Sequence, residues 1–207
     1  LNLCGERCTV RHFERKQHVQ LLPRPVPLHS LTLGDAVVAF SRRDVLMLRD
    51  QIAAMRNGET FVMSIPKAPY RCPPGPYERA CVVADYLKKS KGSACRVVVL
   101  DENLAIQAEK HTFERAFYEI HAGIVQYVPG ASAIAIDAST KRVTYVDQLG
   151  ATQTIDSRVV NPIVPHRANG SAPGGWLAQA GLNNSTDARW AVVDVLSYES
   201  TAPGAAG

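Results

Sequence analysis

The sequence predicts an α/β fold, and three observations carry that reading. Thr60–Ile65 (Thr-Phe-Val-Met-Ser-Ile) has strand composition; Tyr77, Ala80, Cys81, Ala84 and Leu87 recur at the spacing of one helix face; Arg96–Leu100 (Arg-Val-Val-Val-Leu) is again a strand. Strand, helix and strand in that order within about 40 residues make a βαβ unit, which requires parallel strands and a right-handed crossover. Further on, Ala133–Asp137, Arg142–Asp147 and Gln153–Asp156 alternate around turns at Ser139-Thr140 and Gly150, the pattern of a small antiparallel meander.

Each element has its own local reason. Residues 1–30 show little periodicity, and Pro23, Pro25 and Pro27 suggest an extended connector. Ala36–Phe40 is a short strand candidate. Asp44–Arg56 is helical, with Val45, Leu48, Ile52 and Met55 on one face and Asn57-Gly58 closing it. A proline-rich loop follows Thr60–Ile65, and the helix after it runs over Pro76–Lys89, with Pro76 at a position where its missing N–H costs nothing. Lys91-Gly92-Ser93 turns the chain into Arg96–Leu100, which Asp101 ends. Phe113–His121 reads as a helix, Val125–Val128 as a strand and Arg158–Val164 as a return strand. Residues 169–175 form a loop, Trp176–Ala180 one or two helical turns, and Trp190–Asp194 a further strand candidate.

Composition narrows the class. Of 207 residues, 46% are apolar and 20% charged, as in an ordinary globular protein. No apolar run reaches about 18 residues, so no membrane span is expected. The opening residues lack the apolar core of a secretory signal, and a first residue of Leu rather than Met reads as a fragment or a processed product. The net charge of +4 lies wholly in residues 1–43, which hold seven Lys/Arg against three Asp/Glu. Those cations are scattered, without the clustered basic face or recognition element of a nucleic-acid binder, so no nucleic-acid partner is expected.

The segment that points to chemistry is Tyr70–Arg79 (Tyr-Arg-Cys-Pro-Pro-Gly-Pro-Tyr-Glu-Arg). Cys72 stands at the end of a rigid loop, just ahead of a helix whose free N–H groups and dipole favour a thiolate. Arg71 and Arg79 add positive charge, and the prolines at 73, 74 and 76 restrict the sulfur. The competing reading is a stiff loop whose cysteine fills a gap. Of the other cysteines, Cys81 falls on the apolar helix face as a core residue, and Cys95, in the run Ala94–Leu100, reads as a buried strand residue. Cys4 and Cys8 with His12 have part of a zinc spacing, but the only near fourth ligand is His18, and no metal site is expected. No G-x-G-x-x-G follows any strand; the loop holding Cys72 stands where such a phosphate cradle would fall.

Arg71–Arg79 resembles the signature of the flavoprotein subunit of flavocytochrome c sulfide dehydrogenase, a family related to the sulfide:quinone oxidoreductases. Leu48–Thr60, Val97–Asp101, Val160–Ala168, Ala180-Gly181-Leu182 and Tyr198–Thr201 are similar to its flanking segments, so the resemblance spans roughly residues 45–204. It implies a Rossmann-like (FAD/NAD(P)-binding) three-layer domain with a β-meander, followed by an incomplete second FAD domain. The domains expected are an unmatched segment 1–43, an inserted NAD(P)-binding-like domain 44–157 and a partial FAD-binding domain 158–207.

The resemblance also implies the chemistry. The family cysteine matching Cys72 forms a redox-active disulfide beside the flavin; sulfide attacks it, and electrons pass to FAD and on to a cytochrome c subunit in the periplasm. Glu78 matches a carboxylate near that disulfide, an acid/base candidate whose alternative role is to complement the helix dipole. His166 stands where a glutamine is usual, facing the flavin or capping a loop. The sequence departs from the family in lacking its Gly-rich FAD cradle, its partner cysteine and its later Gly-Asp motif, so it reads as a central fragment with the cofactor-binding residues unassigned. Further readings are a non-enzymatic α/β binding module or an inactive truncated remnant, and a thiol enzyme pairing Cys72 with His111, His121 or His166.

Overall fold

The computed structural model describes residues 42–205. The expectations for Ala36–Phe40, the alternating prolines and Cys4, Cys8, His12 and His18 lie outside those residues. The chain divides into two compact units, whose described parts are residues 42–165 and 166–205.

In the first unit the elements follow in the order α1 (Arg42–Ala53), β1 (Thr60–Ile65), α2 (Gly75–Ser90), β2 (Arg96–Asp101), α3 (Lys110–Arg115), β3 (Val125–Pro129), β4 (Ser132–Asp137), β5 (Arg142–Val146), β6 (Thr152–Asp156) and β7 (Val159–Pro162). A π-helical turn, Ala116–Ile120, continues α3, and the His121 N–H reaches the Ala116 carbonyl at 2.9 Å. One sheet has the order β3-β2-β1-β7 with every pair parallel. The other, β4-β5-β6, is antiparallel, with a register shift between Ala133 and Ala135.

The two faces of the parallel sheet define three layers. Phe61, Met63, Ile65, Val97, Val99 and Val159 pack against Leu48 of α1, Tyr77, Ala80, Val83, Ala84 and Leu87 of α2, and Phe113 and Phe117. On the opposite face Val62, Val98, Leu100 and Val160 pack against Ile136 and Val143 of the meander. Because side chains alternate across a strand, residues one apart serve opposite layers. That is why β1 and β2 are continuously apolar where the meander strands alternate. Each large side chain so buried contributes about 1.5–3 kcal/mol.

The division between the compact units falls after Pro165. The physical reason is β7: Val159–Pro162 pairs in parallel with Phe61–Ser64, so the return strand completes the first sheet. The helix expected over Phe113–His121 begins earlier, at Lys110, and its last turn widens into the π-turn that ends at Ile120.

The second unit has little regular structure. Helix α4 is Trp176–Gln179, and the strand expected over Trp190–Asp194 is reduced to a single antiparallel bridge between Val193 and Ser200. Side chains take over the backbone's bonding there. Asn184 accepts from the Val192 N–H at 2.7 Å and donates to Thr201 Oγ1 at 2.9 Å. Ser185 Oγ accepts from the Trp190 N–H at 2.9 Å. Among the described residues no helix is long and apolar enough to cross a membrane.

Candidate active site

In a parallel sheet with helices crossing over it, ligands approach beyond the C-terminal strand ends, where the strand order reverses. Here the chain moves outward from β1 to β2 and β3, then returns to place β7 on the other side of β1. The loop after β1, residues 66–74, therefore stands at the reversal, and it carries Cys72.

Cys72 is exposed and its backbone is left-handed, with φ of 58°. Its carbonyl accepts from the Gly75 N–H at 3.0 Å, closing a turn that leads into α2. A Cβ on Gly75 would lie 3.1 Å from Cys72 Sγ, so the absent side chain lets the sulfur rest against the start of the helix. Helix α2 begins one residue before the expected Pro76, and Pro76 is buried within its first turn. Pro74 precedes it with no side-chain cap. The thiol has no hydrogen-bond partner among the described residues, and Cys72, Cys81 and Cys95 are all unbridged.

Glu78 is exposed in the first turn of α2. Among the described residues it makes no hydrogen bond to Cys72; the thiol its charge acts on is Cys81, one turn along, whose pKa is raised by burial and then by Glu78. Cys81 is only half-buried against the core, while Cys95 is fully buried and donates from Sγ to the Arg56 carbonyl at 3.3 Å. Arg71 is exposed. Arg79 is drawn inward, donating to Asn161 Oδ1 of β7 at 2.8 Å, and burial pulls its pKa down. His111 is fully exposed on α3, and His121 is buried after the π-turn with its Nδ1 unpartnered. Neither donates to Cys72. The His166 carbonyl accepts from Arg189 at 3.1 Å within the second unit.

One group beneath the loop escaped the sequence reading. Asp101, the last residue of β2, is fully buried. Its Oδ2 accepts from Tyr77 at 2.8 Å and Tyr127 at 2.9 Å; its Oδ1 accepts from the Asn103 N–H at 2.9 Å and Nδ2 at 2.8 Å. Tyr77 Oη also accepts from the Gln107 N–H at 3.1 Å and lies 3.3 Å from Tyr70 Oη. Burial, then the Tyr70 contact and the Asp101 charge, push the Tyr77 phenol far above its ordinary range. Burial and Asp101 do the same to Tyr127. Both phenols stay protonated and serve as donors. The sequence signal was an acidic residue directly after the apolar run Val97–Leu100, where burial obliges it to find several donors.

Residues 45–165 match the family model described as "Sulfide dehydrogenase [flavocytochrome c] flavoprotein chain, central". A chain of the mitochondrial ATP synthase of Tetrahymena thermophila is similar in fold, with a TM-score of 0.51 and 15% identity over 70% of this chain and 34% of that one. The sulfide:quinone oxidoreductase of Aquifex aeolicus superposes with a TM-score of 0.48 and 13% identity over 73% of this chain and 38% of its own. The chain thus spans about a third of the length of these two structures. With the family model covering more than half of its residues, the chain belongs to the flavoprotein chains of flavocytochrome c sulfide dehydrogenase, as their central domain.

Proposed function

We propose that this chain is the central part of an FAD-dependent oxidoreductase that oxidises sulfide, with Cys72 as the reacting sulfur. The observation that carries the reading is the exposed Cys72 thiol on the loop after β1, at the sheet edge where α/β folds take their ligands. In this reading the oxidised enzyme has Cys72 bridged to a partner cysteine of the complete protein. Hydrosulfide attacks that bridge; a new S–S bond forms to one cysteine sulfur, and the other leaves as a thiolate carrying the electron pair of the broken bond. FAD, when bound, supplies a two-electron acceptor beside the thiolate, and a cytochrome c subunit takes the electrons onward. Cys72 and Pro73 are both exposed, so a ring held by other parts of the complete protein could reach the thiol.

Glu78 is the proposed proton-transfer group, from the first turn of the helix that Cys72 precedes. A periplasmic setting completes the reading, since a disulfide used in turnover belongs in an oxidising compartment. The test is sulfide-dependent bleaching of flavin absorbance in the complete flavoprotein, parent against Cys72→Ser. Loss of bleaching with flavin still bound is expected. Bleaching at the parent rate in Cys72→Ser would remove Cys72 from the reaction.

A further inference from the structure

The loop from Tyr70 to Tyr77 is tied at both ends to one buried carboxylate. At its far end Tyr77, in α2, donates to Asp101 Oδ2 at 2.8 Å. At its near end Tyr70 Oη lies 3.3 Å from Tyr77 Oη, so the two hydroxyls close the segment that contains Cys72. Tyr77 uses its single proton on Asp101, so Tyr70 is the donor between them, with the Pro73 carbonyl 3.5 Å from Tyr70 Oη as its longer alternative acceptor. The residues entering the loop are held from the same centre. Asn103, fixed by donating to Asp101 Oδ1, also donates from Nδ2 to the Pro66 carbonyl at 3.0 Å and accepts from the Ala68 N–H at 2.9 Å.

Cys72 needs such restraint, because a non-glycine residue at φ of 58° holds that conformation only where its surroundings impose it. The neighbouring prolines fix their own φ angles but not that of Cys72. We propose that Asp101 is the positioning residue for Cys72: through Tyr77 and Tyr70 on one side and Asn103 on the other, it fixes the turn that presents the thiol. The proposal rests on Cys72 being the reacting sulfur for its importance, but not for its test, which needs neither flavin nor sulfide.

The full chain supplies its own reporters. The Gly75 N–H, bonded to the Cys72 carbonyl, reads whether the turn is held. Trypsin releases Cys72–Arg79 as a peptide with one thiol, so reaction of Cys72 with a small disulfide is read free of the other cysteines. The variants are Tyr77→Phe and Tyr70→Phe, with Tyr127→Phe as the control. The last removes a like bond to the same Oδ2 without touching the loop.

In the two loop variants exchange at Gly75 accelerates about three- to tenfold, the factor one lost hydrogen bond allows, while amides of β1 and β2 keep their parent rates. The disulfide-exchange rate of Cys72 departs from the parent by a similar factor, and Tyr127→Phe alters neither reading. Parent rates at Gly75 and Cys72 in Tyr77→Phe would overturn the proposal. So would an equal effect from Tyr127→Phe, or acceleration spread evenly over the sheet.

Discussion

The Asp101 centre makes a quantitative prediction, because two substitutions of similar size separate its bonding from its volume. In Asp101→Leu the Asn103 N–H and one Nδ2 hydrogen lose their acceptor outright, since the other Nδ2 hydrogen already serves Pro66. Tyr77 can turn toward Tyr70, and the half-buried Tyr127 toward water, so neither hydroxyl is counted as stranded. Two orphaned donors at about 1–3 kcal/mol each give a loss of roughly 4 kcal/mol. In Asp101→Asn the new carbonyl takes the Oδ1 place and keeps both Asn103 bonds. The new amide donates toward the hydroxyls of Tyr77 and Tyr127, which reverse their protons: Tyr77 to Tyr70, and Tyr70 to the Pro73 carbonyl 3.5 Å away. Every buried group remains bonded, with the half-buried Tyr127 hydroxyl turning to water, and the loss is the difference between charged and neutral acceptors, about 1–2 kcal/mol.

Urea unfolding followed by circular dichroism measures both. With a slope of about 2 kcal/mol per molar urea, Asp101→Leu moves the midpoint down by about 2 M and Asp101→Asn by less than about 1 M. An Asp101→Leu midpoint within about 0.3 M of the parent, or an Asp101→Asn loss as large as that of Asp101→Leu, would refute the bonding argument.

Two further outcomes follow from the titrating groups. Burial lowers the His121 pKa below 6.5, with Lys88 and Lys89 acting the same way and Asp85 against them. The unfolded chain therefore binds the proton first, so stability falls as pH drops below about 6.5. Between pH 6.5 and about 5 this decline is shallower in His121→Gln, read by thermal unfolding, and an unchanged slope would exclude His121 as its source. Glu78 raises the Cys81 pKa, so Glu78→Gln speeds alkylation of the tryptic peptide Ala80–Lys88 at pH 8 by about twofold, the scale of an exposed pair interaction. A rate that is unchanged or slower contradicts that coupling.

Most of the fold was legible where physics is local. Thr60–Ile65 and Arg96–Asp101 announce themselves because a strand covered on both faces has no polar side to display. Helix α2 does so because its apolar face repeats at helical spacing. The π-turn after α3 was not legible, since a single widened turn leaves the apolar spacing of Phe113 and Phe117 nearly intact. The return strand is legible as a strand, but Val159–Pro162 contains nothing that names its partner, and only the tertiary pairing shows that it lies beside β1. For the site, the motif around Cys72 was visible, whereas Cys81 proved half-exposed because helical spacing assigns a face but not how far the neighbouring layer reaches over it.

The order of elements, the α/β class and the cysteine loop are local properties, because hydrophobic period, turn residues and proline act over a few neighbours. Tertiary structure alone decided which strands adjoin, which face each layer covers, and that a carboxylate 29 positions beyond Cys72 gathers Tyr70, Tyr77, Tyr127 and Asn103 beneath its loop. Hydrogen bonds of that reach join residues far apart in the chain. They exist only once burial has removed the water that would otherwise satisfy the same groups.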